Sequence, residues 1–380
     1  MPHMISAPFV WRTCLFSIFV CLMVTVSEAQ VYTVKPGVRG LGAKSRAQSG
    51  KTILQIELIA GRDGGLGLSA QQWQQSFAKL GVAVRIRNAT SGEKLLIREV
   101  QRGPLRRVTV IGQLERNGTL TFKGRTFRRS EAKQLGEWIR ELQTYGAQGA
   151  PTGKPLWGLN KSQFSAVFNA LKEAIDGEVT SIPLDKSLTV MKLPTRYPLR
   201  MSAAAEAHLK RTFPELPAVR QQVKGMSKGT SLAAVLIEYG LGFRPLRTPK
   251  GSIELVVEPL GDPKDRWPVG WPAQGSLPKT APKLYELLPI SLDEQKFQDV
   301  VDVIAVKTGI PVLIDRHRIA GKGMDLDKLR VSYGPKRASW SLLLRGITVP
   351  YRLAREVRID ERGAPFVWIT VSMPKRLPSR

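Results

Sequence analysis

Four residues near the C-terminal end have the types and spacing for acid–base chemistry. Asp315 and His317 stand two apart in DRHR, where a carboxylate could orient an imidazole. Asp325 and Asp327 stand two apart in MDLDKL, where a strand would aim both toward a calcium ion or use them as an acid–base pair. A strand end with solvated charges and turn aspartates accounts for the same residues, and is the preferred reading. Neither His208 nor His317 has a second histidine at i+3 or i+4, so there is no helical metal pair. Asp360 and Glu361, in RIDERGAPF, fall at an expected hairpin turn, where Asp and Gly serve the backbone. No G-x-S-x-G or EF-hand loop is present, and no cofactor or metal is expected.

The stretch GRDGGLGLSAQQWQQSF, Gly61 to Phe77, follows an apolar run and resembles a dinucleotide fingerprint through Gly65, Gly67 and Ala70. A dinucleotide site wants alternating strands and helices and an acidic residue about 20 positions on. Here several strands follow one helix, and the second strand ends in Arg87 and Asn88. Ser69 and Gln72 form a capping box that explains the helix start, with Trp73, Phe77 and Leu80 facing a core.

The chain carries 58 Lys and Arg against 31 Asp and Glu, a net charge of +27. Such a charge attracts polyanions. Between Arg98 and Arg129 there are eight arginines and one lysine against two glutamates. Arg85, Arg87, Arg98, Arg102, Arg106, Arg107, Arg125, Arg128 and Arg129 fall on strands or their ends, where side-by-side guanidinium groups could grip phosphate or carboxylate. Trp267 and Trp271, in DRWPVGWP, would anchor a partner if exposed. Docked back onto the third domain they would form an interdomain strap, the preferred reading because large apolar patches rarely stay exposed.

The elements that must position these residues follow from periodicity. Residues 1–29 read as a signal peptide: Arg12, an apolar run from Thr13 to Val26, then Ser27 and Ala29 as small residues at a cleavage site. Both cysteines, Cys14 and Cys21, lie inside it, so the exported chain would hold no disulfide. Secretion or a periplasmic location is expected, with an uncleaved anchor as the rival. Residues 30–50 read as a flexible lead, 51–150 as a basic domain, 151–260 as a second domain, 261–284 as a Pro- and Trp-rich linker, 285–373 as a third domain and 374–380 as a basic tail.

The expected fold class is multi-domain α+β, with small mixed sheets each packed against one or two helices. In the first domain a helix and an antiparallel sheet are expected, closed by a helix burying Leu135, Trp138, Ile139 and Leu142.

Two stretches match each other, one from Gly225 and one from Gly334, each a turn, a helix, a strand, a glycine turn and a strand. Leu232, Val235, Leu236 and Tyr239 align with Trp340, Leu343, Leu344 and Ile347. The last copy reads β-α-β-β-α-β-β, with Ser291 and Glu294 as a capping box and Phe297, Val300, Val301 and Ile304 turned inward. Residues 155–260 read as a longer, divergent copy. Its first helix carries Phe164, Val167, Phe168, Leu171 and Ile175, and its centre, Thr180 to Lys224, departs from the pattern.

The last copy resembles the secretin/TonB short N-terminal domain of bacterial envelope proteins. The resemblance covers residues 285–372 and rests on LDEQKFQDVVDVIAVKTGIPVLID, VSYGPKRASWSLLLRGITVPYRL and PFVWIT. It implies a docking or signalling module rather than a catalyst. The expectation is therefore an exported, non-catalytic envelope interaction or scaffold protein. It would dock a protein partner through this module and an anionic polymer or lipid surface through the arginines. The alternatives are a hydrolase of an envelope polymer using Asp315, His317, Asp325 and Asp327, or an exported nucleic-acid binder.

Overall fold

The computed structural model describes residues 52–60, 67–90, 92–102, 105–149, 157–261 and 265–372, with the side chain of Arg102 excepted. The expected signal peptide, the lead, most of the glycine stretch (61–66) and the basic tail lie outside the described residues. The fold is α+β with several small mixed sheets.

The first region runs β1 (Thr52–Ala60), α1 (Leu68–Lys79), β2 (Val84–Asn88), β3 (Leu96–Arg102), β4 (Leu105–Leu114), β5 (Leu120–Phe122), β6 (Arg125–Phe127) and α2 (Ala132–Tyr145). The antiparallel expectation fails at its centre, where β1 has parallel partners on both sides, β2 and β4. Helix α1 carries the chain back to the starting end, so β2 must run the same way as β1. Only β3, β5 and β6 pair antiparallel. Trp73 and Phe77 of α1 and Leu135, Trp138, Ile139 and Leu142 of α2 cover one face of this sheet, over Ile56, Leu58, Val108 and Val110. Leu80, expected in that core, is exposed. The Ser69–Gln72 box does not form: Gly67 is the N-cap, without a side-chain bond, and Gln72 accepts from Arg129 instead.

The remainder runs α3 (Lys161–Ala170), α4 (Leu184–Val190), β7 (Leu199–Met201), α5 (Ala203–Thr212), α6 (Lys228–Glu238), β8 (Leu241–Arg247), β9 (Ile253–Pro259), β10 (Trp271–Pro272) and α7 (Leu277–Thr280). The last elements are β11 (Leu287–Lys296), α8 (Phe297–Thr308), β12 (Val312–Ile314), α9 (Arg316–Ala320), β13 (Arg330–Ser339), α10 (Trp340–Thr348), β14 (Leu353–Ile359) and β15 (Pro365–Val371).

Two copies of one unit are present, and strand register fixes their alignment. In each, a helix leads into an antiparallel hairpin, β8–β9 or β14–β15, whose second strand takes a short parallel neighbour, β7 or β12. Ser202 N donates to Val257 O at 3.0 Å, and Asp315 N donates to Ile369 O at 2.8 Å. Both residues then cap the next helix, α5 or α9. Leu241 faces Pro259 where Leu353 faces Val371, and the N-caps Ser227 and Ser339 stand equally far ahead of those strands. Leu232 and Val235 therefore correspond to Leu344 and Ile347, one helical turn from the alignment that apolar spacing suggests. A stripe of period 3.6 looks alike when slid by four residues, which explains the slip.

The first helix of the earlier copy is α4 rather than α3. A bridge from Pro183 to Ala218 precedes α4, as the β11–β13 ladder precedes α8. The centre that departs in sequence is thus part of the unit. The box expected at Ser291 and Glu294 is also absent: both lie within β11, Glu294 has a φ of 46°, and α8 begins at Phe297 after an N-cap that makes no side-chain bond. A capping box does form at Asn160 and Gln163, with bonds of 2.8 and 3.0 Å, opening α3.

The two copies share a wall. Phe366 and Trp368 of β15 point into the cluster built from residues 157–271, and Val367 and Ile369 point into the C-terminal cluster. The strand is therefore apolar on both faces. Helix α6 is buried from Lys228 to Ile237. The edge of β12 is closed by the buried side chain of Gln221, which donates to Ile314 O (2.6 Å) and accepts from Ile314 N (3.3 Å).

Candidate functional site

The four acid–base candidates do not converge. Asp315 is buried as the N-cap of α9, accepting from Arg318 N (3.2 Å) and Thr370 Oγ1 (2.9 Å), and burial pushes its carboxyl upward. Asp325 and Asp327 lie in turns rather than on a strand. Asp325 accepts from Asp327 N at 3.0 Å and pairs with Lys328, and Asp327 takes a two-pronged bond from Arg220, at 2.9 and 2.6 Å. His317 turns away to Gly240, where it meets His208. The Nε2 atoms of both imidazoles lie 3.0 Å from the position a Cβ on Gly240 would take. His208 Nε2 is 3.0 Å from Tyr239 O, and burial lowers the His317 pKa. Among the described residues no group of three or more His, Cys, Asp or Glu could hold a metal ion.

The carboxylates expected at a hairpin turn do stand at one, between β14 and β15, and the turn is buried at the junction of the two copies. Asp360 and Glu361 are 2 % and 3 % exposed. Glu361 Oε1 accepts from Trp267 Nε1 (2.6 Å) and Trp271 Nε1 (3.2 Å). Its Oε2 accepts from Thr230 N (3.0 Å), Thr230 Oγ1 (2.8 Å) and the Ser227 hydroxyl. Asp360 accepts from Ser227 N at 2.9 Å and, within its own turn, from Arg362 N and Ala364 N. The hairpin tip of one copy thus caps helix α6 of the other, where free N–H groups and the helix dipole favour a negative charge. Gly229 permits the approach: a Cβ there would stand 2.5 Å from Glu361 Oε1.

Trp267 and Trp271 are therefore an internal strap and are not free to anchor a partner. Trp267 is 3 % exposed and stacks between Trp157 and Phe243, each 5.6 Å away, with Trp271 edge-on to it. The strap also joins sheet edges, Trp267 N bonding Phe243 O at 2.7 Å while Trp271 pairs with Ile359.

A second charged junction lies at the other end of α6. Glu238 has one oxygen bonded to Arg220 N (3.0 Å) and the other, Oε1, buried without a hydrogen bond, 3.8 Å from Arg316 Nε. Burial outweighs the two arginines and pushes this carboxyl up to about 7.

The nine arginines divide by strand parity. Arg85, Arg87, Arg98 and Arg107 share the sheet face opposite the helices, as their register partners Glu57, Ile59, Thr109 and Ile53 require. Arg87 is spent on Glu57 (3.1 Å) and Glu93 (2.8 Å). Arg106 faces the other way, bonding Thr52 Oγ1 (2.8 Å) and the α2 carbonyl of Thr144 (2.8 Å). Arg125 pairs with Glu141 at 3.3 Å, Arg128 lends its backbone N–H to Glu131, and Arg129 bonds Gln72. The side chain of Arg102 lies outside the described residues. Arg85, Arg98 and Arg107 remain exposed and meet no carboxylate among the described residues.

Sequence reasoning passed over Gly229, Glu238 and Gln221, and placed Asp360 and Glu361 at their turn without their partners on α6. The available signal was the glycine in SKGTSL, the second residue of α6, where a glycine points to a packing demand. No protein-family model, curated protein or solved structure matches the chain.

Two outcomes follow from this geometry. Gly229→Ala, which ordinarily stabilises a helix by about 1 kcal/mol, should here destabilise by roughly 1–3 kcal/mol. Urea denaturation of the variant, read by tryptophan fluorescence, checks the sign. For Glu238 the folded state holds its proton more tightly than the unfolded chain does, so the associated stability is complete below pH 4.5 and is lost as pH rises through about 7. Glu238→Gln, neutral throughout, should narrow the stability gap to wild type at low pH and exceed wild type at pH 8, in denaturation midpoints taken at pH 5, 6, 7 and 8.

Proposed function

We propose that the chain is an exported, non-catalytic binding protein of the cell envelope that engages an anionic polymer through the uncovered face of its first sheet. The observation that carries this reading is the set of unpaired guanidinium groups on that face. Arg98 and Arg107 are diagonal neighbours on β3 and β4, and Arg85 stands across β1. Exposed Ile53 and Val100 flank Arg107 on β1 and β3, giving a surface that is cationic and partly apolar. Guanidinium groups on a rigid sheet suit phosphate or carboxylate, and a net charge of +27 adds long-range attraction.

The C-terminal copy supplies the second half of the proposal. Its likeness to the secretin/TonB short N-terminal domain supports a role in docking an envelope protein. Val303 and Val306 of α8 and Leu342 of α10 are exposed apolar side chains on that copy. The engagement of Asp315, Asp327, Asp360 and Glu361 in structural hydrogen bonds favours binding over hydrolysis.

Binding of a fluorescent heparin oligosaccharide, measured by anisotropy from 50 to 300 mM salt, tests the anionic half. The triple variant R85Q/R98Q/R107Q should bind at least about tenfold more weakly at low salt and show a shallower dependence on salt. Unchanged affinity and slope would remove the outer face from the proposal.

A further inference from the structure

A cleft of about 840 Å³ runs between α2 and the non-core face of the β7–β9–β8 sheet. Four carboxylates line it, and each is held by an arginine. Arg200 bridges Glu137 and Glu254, both at 3.0 Å, Arg125 holds Glu141 at 3.3 Å, and Arg244 holds Glu258 at 2.9 Å. The charges left over are all positive. Lys79, Arg140, Arg247 and Lys250 line the same cleft and form no ion pair with any described residue.

Arg247 is the most constrained of them. Its guanidinium lies over the ring of Tyr145, 5.6 Å from the centroid, and its backbone N–H donates to the Tyr145 hydroxyl at 2.8 Å. Its Nε is buried with no hydrogen-bond partner. A ligand therefore meets the rest of the planar fork, which Tyr145 holds in place before any ligand arrives. The turn Thr248–Ser252, which carries Lys250, forms the rim. A single phosphate would occupy little of such a cleft, which has the size of a site for a whole small ligand.

We infer that this cleft binds an oligoanion carrying several phosphate or carboxylate groups, with Arg247 as its anchor and Arg140, Lys79 and Lys250 as flanking cations. The site is separate from the outer sheet face and stands or falls without it. Isothermal titration of the purified chain at 50 mM salt with tripolyphosphate and with trigalacturonate tests it and tells phosphate from carboxylate. Arg247→Gln should weaken binding of the preferred probe at least tenfold. Arg247→Lys should weaken it nearly as much, because the charge stays and the fork is lost. Lys250→Gln, at an exposed turn where folding is not at risk, should weaken it about threefold, and R85Q/R98Q/R107Q should leave it unchanged. Failure of both probes to bind at millimolar concentration would overturn the inference. So would affinity that survives Arg247→Gln and Lys250→Gln, or that is lost only in the outer-face triple variant.

Discussion

A negative charge buried at the start of a buried helix organises the C-terminal two-thirds of this protein. Helix α6 has no solvent at its N-terminus, so its first N–H groups must find acceptors inside the protein. Lys228 N and Gly229 N bond the backbone carbonyls of Glu173 and Leu171, and the flanking Ser227 N and Thr230 N bond Asp360 and Glu361, carboxylates from a hairpin more than a hundred residues away. A carboxylate in such a place is tolerable only if it is fully hydrogen-bonded. Two indole N–H groups, two hydroxyls and a backbone N–H meet that demand for Glu361. The strap, the helix and the hairpin are each incomplete without the other two.

The duplicated unit explains why the arrangement is one-sided. Ser227 and Ser339 are corresponding N-caps. Ser339 uses its own hydroxyl, accepting from Leu342 N at 3.3 Å. Ser227 does not: its hydroxyl turns to Glu361, which takes over the N–H of Thr230. One helix keeps a local cap, and the other exchanges it for a bond that also joins the two copies. The opposite end of α6 repeats the theme, with Glu238, Arg220 and Arg316 drawn from both copies and the two histidines meeting over Gly240. Gln221, closing the edge of β12, adds a third polar tie. The apolar face supplies the area of the junction, and these polar contacts give it one register.

Local periodicity made the buried stripes of α2 and α8 and both hairpins legible, because each depends on neighbours only a few residues away, whereas α6 is buried on every side, beyond the one stripe its spacing shows. The parallel pairing of β1 with β2 and β4 was not legible, since the same alternating residues fit either direction. Both expected capping boxes failed because four residues can match the pattern while the backbone at that point is already helical or still extended, as at Ser69 and Ser291. Asp360 and Glu361 do form the expected turn, and their second role was hidden for a related reason. Acidic residues before Gly363 satisfy the rule for a turn, and nothing nearby in sequence announces that a helix end and two indoles will cover them.

Charge was harder to read than apolarity. The dense run of arginines looks uniform in sequence, yet strand parity and the positions of a few glutamates divide it. Arg106 ties β1 to the end of α2, and Arg87 is closed by two carboxylates, so neither has a fork to offer. Two groups of unspent cations are gathered on built surfaces, Arg85, Arg98 and Arg107 on the outer sheet and Lys79, Arg140, Arg247 and Lys250 around the cleft beside Tyr145. In the cleft, every lining carboxylate already has a guanidinium partner, and the surplus is positive at a site whose anchor, Arg247, is held by Tyr145 through ring and hydroxyl. Net charge by itself speaks only to attraction at a distance. What distinguishes binding from a merely basic surface is a guanidinium held still, and Tyr145 holds Arg247 in that way.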